Sequence, residues 1–267
     1  MKILVASTVG GPAHHYAEPI IENINRLVEW FDEVECVFLE SNSDDERAFS
    51  IIDSHARTKL KCKYQLHDVS GVAQGTAKVE RLAIARNMIM DIVKRDYGDW
   101  DYIFMVDWNP SNIQPYSKES ILSNFETDLD WNVMGANQRG YYYDLWAVRH
   151  PYWVPYNVWG MLDPKNRPSF ISYNDAFRFV ECRQITIPED HPPIPVISAF
   201  GGAAFIRISA IGDSRYSHIE DNGYLDVEHV QFNKSIGKVF INPKFINRDH
   251  SLDEYSLHDL STGYINE

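Results

Sequence analysis

The sequence predicts an α/β fold, with a mostly parallel central sheet flanked by helices and a smaller, mixed α/β second half. Three observations predict it. Short apolar segments of strand character alternate with helix-period segments through the first 110 residues. Polar residues stand where those strand segments end, as Ser7-Thr8, Glu40-Ser41 and Asp107-Trp108-Asn109; ligands of parallel sheets gather at the carboxyl ends of strands. No repeat or linker divides the 267 residues, which are enough to bury one large core.

Taken in order, Ile3–Ala6 reads as a buried strand, followed by a loop at Gly10–Pro12. Pro19 suits a helix start, with Ile20, Ile21, Ile24, Leu27, Val28 and Phe31 at helical spacing. Val34–Leu39 is a second strand, a short helix starts near Asp44, and Lys61–Leu66 is a weak third strand. Thr76–Tyr97 carries the strongest helical pattern, and Tyr102–Val106 is an apolar strand ending at Asp107.

The second half is less regular. Asn132–Ala136 and Trp146–Arg149 read as strands, and 151–168, rich in Pro, Trp, Tyr and Asn, as a long ordered loop or lid. A helix is expected over Asn174–Cys182, and Pro188–Pro195 is a proline-rich link. Val196–Ile208 is an apolar run holding Gly201-Gly202, a pair that marks a bulge or the close approach of a ligand. The polar residues 251–267 read as a peripheral tail.

Composition excludes several functions. With 38 acidic against 25 basic residues the net charge is −13, which disfavours nucleic acid as a partner and suits a divalent cation. No apolar run approaches the 18 or so residues of a membrane span, so no transmembrane segment is expected. The first residues are too short an apolar run for a signal sequence. Cys36, Cys62 and Cys182 form no disulfide framework or metal knuckle and read as buried small hydrophobes, which points to a reducing, cytoplasmic setting. The motifs of serine hydrolases, zinc proteases, P-loop proteins and nicotinamide dehydrogenases are absent.

Four groups of residues could carry chemistry. Asp107 and Asn109, two apart at a strand end, could offer oxygen to one hard cation, although the same residues also make a good turn. Arg86 falls inside the apolar stripe of Val79, Leu82, Ile89, Met90 and Val93, so it needs an anionic partner: a core carboxylate, a diphosphate or the acidic site. Glu228-His229 follows Asp226, which suits an N-cap, and precedes a helix that stops at Gly237. An acid there can serve as a general base, or simply favour the helix dipole. His250 follows Asp249 just past the apolar stretch Val239–Ile246.

Placed in order, these pieces resemble a GT-A glycosyltransferase. Glu40-Ser41-Asn42-Ser43-Asp44 resembles the turn that meets the nucleotide, and Ala85-Arg86-Asn87 the A-R-N of the following long helix. Tyr102 to Asn109 is similar to the strand that ends in the metal-binding D-x-D motif, and Ser198 to Ala203 to the glycine loop on the acceptor side. Gly223 to Pro243, holding Glu228-His229, resembles the x-E-D helix and its following strand, and His250 the C-terminal histidine of the metal site. The resemblance spans about residues 1–250 and is nearest to fungal capsule-polysaccharide mannosyltransferases and small glycosyltransferases of large DNA viruses. Two positions depart from it: Asn109 replaces an acid, and His229 stands where many inverting members have the catalytic Asp.

The resemblance implies a single GT-A-like, Rossmann-type domain over 1–267, with a nucleotide-sugar half (1–110), an acceptor half (111–250) and the tail. It implies a UDP- or GDP-sugar donor, a glycan hydroxyl acceptor and Mn²⁺ or Mg²⁺ held by Asp107, Asn109 and His250. Thr8, Glu40, Ser41, Arg86 and Asp107 would meet the nucleotide. Gly201, Gly202 and Trp159 would face the sugars, and Glu228 or Asp226 would take the acceptor proton. Two rival readings are a nucleotidyltransferase, although Val9–Pro12 holds no Lys or Arg, and a non-catalytic carbohydrate binder using the aromatics of Tyr141–Trp159.

Overall fold

The structure, a computed structural model, describes residues 1–43, 45–72, 77–219, 223 and 225–250, without the side chains of residues 42 and 159. The expectations for the tail 251–267, for a helix start at Asp44 and for Thr76 lie outside the described residues.

Eight strands form one sheet in the order β3-β2-β1-β4-β7-β5-β8-β6. They are β1 Lys2–Gly11, β2 Glu33–Ser43, β3 Lys63–Asp68, β4 Tyr102–Val106, β5 Val133–Arg139, β6 Ile194–Val196, β7 Ala203–Arg207 and β8 Val239–Asp249. β1, β2, β3 and β4 are mutually parallel. β7 runs antiparallel between β4 and β5, which returns β5 and its parallel neighbour β8 to the direction of β1. β6 is an antiparallel edge strand. The fold is therefore the expected mostly parallel α/β sheet.

Alternation along the strands explains the two core layers. Leu4, Ala6, Ile103 and Met105 face one side, with α3 (Lys78–Asp96) and α7 (Glu228–Ile236) over them. Ile3, Val5, Phe104 and Val106 face the other, under α1 (Ala17–Trp30) and α2 (Ala48–Lys59). Because both faces are covered, the strands read as continuous apolar runs. A third cluster, from Tyr142 through Val180 to Ala199 and Ile241, is built by the irregular segment and α5 (Tyr173–Glu181); α4 (Lys118–Leu122) and α6 (Ile208–Ile211) are short.

Several expectations are corrected. Trp146–Arg149 is not a strand; Arg149 makes one isolated bridge, to Ser198. The proline-rich link ends in β6, where Pro195 is tolerated at a sheet edge because a missing N–H there breaks no ladder. Residues 151–168 contain a 3-10 turn, Val158–Leu162. The glycine pair does not lie inside a strand but forms the turn just before β7, with φ of +69° and +81°. Of the cysteines only Cys36 is buried; Cys62 is intermediate and Cys182 exposed.

Candidate active site

Strand direction decides where chemistry can collect. The carboxyl ends of β1, β2, β4, β5 and β8 lie along one edge of the sheet, and the turn leading into antiparallel β7 opens on the same edge. That edge holds Thr8, Glu40-Ser41, Asp107, the Tyr143-Asp144 segment, His250 and Gly201-Gly202. Thr8 and Asp107 each lie two residues past the last paired rung of β1 and β4, Ala6–Met105. Asp107 directly follows β4, whereas Thr8 is still inside β1, paired on its other side with Leu39 of β2; the strand runs on to Gly11, through part of the loop expected at Gly10–Pro12.

Among the described residues, Thr8 Oγ1 is buried with no hydrogen-bond partner, and so is His14 Nδ1 in the turn after β1. A buried hydroxyl left without a partner costs stability, so it marks a place where a ligand can complete the bonding. Glu40 is buried and accepts from the Ser43 amide (3.3 Å) and hydroxyl (2.5 Å), which closes the end of β2 on itself. Ser41 beside it is half-buried.

Arg86 sits on the buried face of α3, as its place in the apolar stripe implies. Its Nη2 donates to Asp107 Oδ1 at 2.9 Å, and its Nη1 is paired with Glu228 in the first turn of α7. Phe200 and Tyr216 cover the guanidinium at 5.3 and 5.8 Å. The anionic partners are thus two carboxylates of very different exposure: the Asp107 side chain keeps 29% of its surface open, and that of Glu228 only 1%. Burial pushes the Asp107 carboxyl above its ordinary range, against the opposing charges of Arg86 and Lys78. His229 is buried against Phe200 (ring centroids 4.0 Å), and desolvation, with Arg86 nearby, holds its imidazole well below its ordinary pKa. It is a neutral wall of the Arg86 chamber.

Asp226 is not an N-cap. Val227 occupies that position without a side-chain cap, because the Asp226 carboxylate pairs instead with Arg149, at 0% and 4% side-chain exposure. Neither Asp226 nor Glu228 presents an oxygen to the mouth in this arrangement.

The glycine turn is fastened beside Asp107. The Asp107 amide donates to the Gly202 carbonyl (2.9 Å), and Asn112 Nδ2 donates to the same oxygen (2.8 Å). The Gly201 carbonyl accepts from Gln138 (2.9 Å) and Asn247 (2.8 Å). Besides the positive φ, a Cβ on Gly201 would strike the Ala136 carbonyl, and one on Gly202 the hydroxyls of Ser111 and Tyr143. Close approach and backbone angle both require glycine here.

Asn109 does not play the expected part. Its Oδ1 accepts from the Ser111 amide (2.9 Å) and hydroxyl, capping the turn Pro110–Asn112, so its Nδ2 is the end that faces Asp107 (3.5 Å). The amide oxygen is consumed by a local turn. His250 stacks on Tyr141 (4.0 Å) and meets Tyr143 edge-on (6.4 Å); Tyr143 in turn contacts Ser111 at 3.4 Å. His250 therefore joins Asp107 through a chain of intermediates. Among the described residues, no group of three or more His, Cys, Asp or Glu could hold a metal ion.

Trp159 lies in the 3-10 turn, its side chain outside the described residues. Nearby, Tyr152 is almost fully exposed, Tyr156 is half-exposed, and Trp153 is tied by its indole N–H to the Arg183 carbonyl (2.6 Å).

The sequence reading missed Asp144. It is half-buried, and its carboxylate accepts from the Gly201 amide (2.9 Å) and the Ala147 amide (3.1 Å). It also missed the amides of Asn112, Gln138 and Asn247 that hold the turn. The available signal was the carboxyl-end rule applied to a fifth strand, since Asp144 lies in the segment that leaves β5 at Arg139.

No family model matches the chain, and no curated protein sequence does. Solved structures do. The mannosyltransferase PcManGT from Pyrobaculum calidifontis, in complex with GDP-Man and Mn²⁺, is 11% identical with a TM-score of 0.51, over 97% of this chain and 59% of that one. TarS from S. aureus with UDP-GlcNAc gives 13% and 0.46, over 90% and 56%. Glucosyl-3-phosphoglycerate synthase from Mycobacterium tuberculosis with UDP gives 12% and 0.48, over 97% and 74%. The chain spans about three fifths of the length of the first two. These neighbours are nucleotide-sugar glycosyltransferases, and no described helix is long and apolar enough to cross a membrane. At such identities the likeness speaks for architecture alone, and the architecture of this chain is that of the GT-A-type glycosyltransferases.

Proposed function

We propose that this protein transfers a sugar from a nucleotide-diphosphate donor to a hydroxyl acceptor, a glycan in the simplest reading. The observation that carries it is the shared sheet edge, where Thr8 with its unpartnered hydroxyl, the Arg86–Asp107 pair and the fixed Gly201-Gly202 turn stand side by side. Thr8, Glu40 and Ser41 would meet the nucleotide. Arg86 would place fixed positive charge beside the leaving diphosphate, where preorganised charge acts most strongly. Gly201 and Gly202 would leave room for the donor sugar against backbone. Trp159, with Tyr152 and Tyr156, would form part of the acceptor wall by stacking on sugar faces.

A divalent cation, Mn²⁺ in preference to Mg²⁺ because imidazole is the softer donor, would enter with the diphosphate, held by Asp107 and His250. When bound it would supply further charge stabilisation of the leaving group. Asn109 is assigned to the turn instead. Glu228 and Asp226 are assigned positioning roles, on Arg86 and Arg149 respectively.

The test is release of nucleoside diphosphate from GDP-mannose, UDP-glucose and UDP-GlcNAc. GDP-mannose comes first, because the fold is similar to that of a mannosyltransferase solved with GDP-Man. The wild type should release diphosphate from one donor, and Asp107→Ala should abolish that release while remaining folded. A protein that binds glycans but ignores every donor would favour the carbohydrate-binding reading. No observation favours a nucleotidyltransferase.

A further inference from the structure

An inverting transfer needs a group to accept the proton of the attacking hydroxyl, and the acids nearest in sequence to the family pattern do not face the mouth. Glu228 and Asp226 are sealed at 1% and 0% side-chain exposure, each against its own arginine. Asp107 has one oxygen on Arg86. His229 is packed between Phe200 and Tyr216. Asp144 differs from all of these.

Asp144 flanks the glycine turn, as Asp107 does: the turn gives its Gly201 amide to Asp144 and its Gly202 carbonyl to the amide of Asp107. Its two oxygens are each fixed by one backbone N–H, and among the described residues neither is paired with a cationic side chain. Each keeps a lone pair for a third group, and the side chain is only half-buried. A carboxylate held by backbone on a rigid turn, beside the place proposed for the donor sugar, has the geometry a general base needs.

We propose that Asp144 is the proton acceptor of the transfer, a proposal that rests on the glycosyltransferase reading above. The acceptor oxygen forms a bond to the anomeric carbon as the bond from that carbon to the diphosphate oxygen breaks. The electron pair of the broken bond leaves on the diphosphate, and the acceptor proton passes to the Asp144 carboxylate. Water can stand in for the acceptor in the same step. Burial, with Asp107 nearby, pushes the Asp144 carboxyl up to about 6, against the two amides and Arg86, which makes it a better base than an ordinary aspartate.

The experiment uses the full chain and two readouts: stabilisation by GDP or UDP, and diphosphate release from the three donors named above. Asp144→Asn keeps the shape and one acceptor oxygen. Its kcat should fall by about 10²–10⁴-fold while diphosphate affinity and donor KM stay near wild type. In Asp144→Gly, added formate should restore part of the turnover, and formamide, equal in shape but no base, should not. Turnover of Asp144→Asn within about threefold of wild type overturns the proposal, as does equal rescue by formamide or a matching loss of diphosphate binding. A wild type that neither binds diphosphates nor releases them sinks the glycosyltransferase reading itself, a result distinct from a variant that binds and does not turn over.

Discussion

Arg86 and Arg149 are two of the three arginines buried among the described residues, and the contrast between their surroundings separates structure from chemistry. Arg149 pairs with Asp226 and donates to the carbonyls of Trp146 (2.8 Å) and Val148 (2.7 Å), all within the protein. Arg86 pairs with one sealed acid, Glu228, and one acid at the mouth, Asp107. Both cations satisfy the rule that buried charge needs a partner. Only Arg86 passes its charge to a surface a ligand can reach. Burial and pairing alone therefore do not single out a ligand-binding cation; under the proposed function, a partner at a strand end does.

The largest expected effects test that contrast directly. Arg86→Met and Arg149→Met should each cost on the order of 3–5 kcal/mol, because each strands a buried carboxylate. Denaturant titration reads this cost. The two should then part: Arg149→Met should keep its stabilisation by GDP or UDP, and Arg86→Met should lose it. Equal loss in both would mean that the diphosphate response reports general softening.

Glycines sharpen the contrast next. Gly202 and Gly212 both have positive φ, but a Cβ on Gly212 meets nothing within 4 Å, whereas one on Gly202 strikes Ser111 and Tyr143. Gly212→Ala should show backbone strain alone, about 1 kcal/mol, and Gly202→Ala up to about 3 kcal/mol. Only Gly202→Ala should also weaken donor turnover, since its turn hydrogen-bonds to both Asp107 and Asp144.

The smallest effect is a pH slope. His229 is held neutral in the fold, so below its unfolded pKa, near 6.5, the unfolded chain binds a proton that the native chain refuses. Its stabilising contribution is therefore present above about pH 6.5 and lost as pH falls. Asp144 acts in the opposite sense: its folded pKa is raised to about 6, so acidification from there toward 4 favours the native state. His229→Phe should remove the first slope and gain on wild type by up to about 1.4 kcal/mol per pH unit below 6.5. Parallel stability curves for the two proteins between pH 5 and 6.5 would show that His229 is not a buried neutral group.

Much of this was legible in the residues. β4 is Tyr102–Val106 as its apolar run implied, and the burial of Arg86 followed from its place in a helical stripe. The first 110 residues could be read because apolar strands and periodic helices repeat there with a clear period. The other half hid its order. Asp144, Gln138 and Asn247 converge on the glycine turn from segments 46 to 63 residues away along the chain, and no local pattern records that meeting. Asp226 and Asn109 show the converse failure, in which a correct residue type has a local or buried partner that consumes it.

The central claim is that the shared strand edge binds a nucleoside diphosphate through Arg86 and Asp107. Thermal and denaturant stability of the wild type with GDP and with UDP, each in the presence of Mn²⁺, tests it most directly. One of the two should stabilise the fold by about 2.7 kcal/mol at 100 times its Kd, and Arg86→Met should abolish the gain. No stabilisation by either nucleotide at saturating concentration, or a gain that survives in Arg86→Met, would contradict the account.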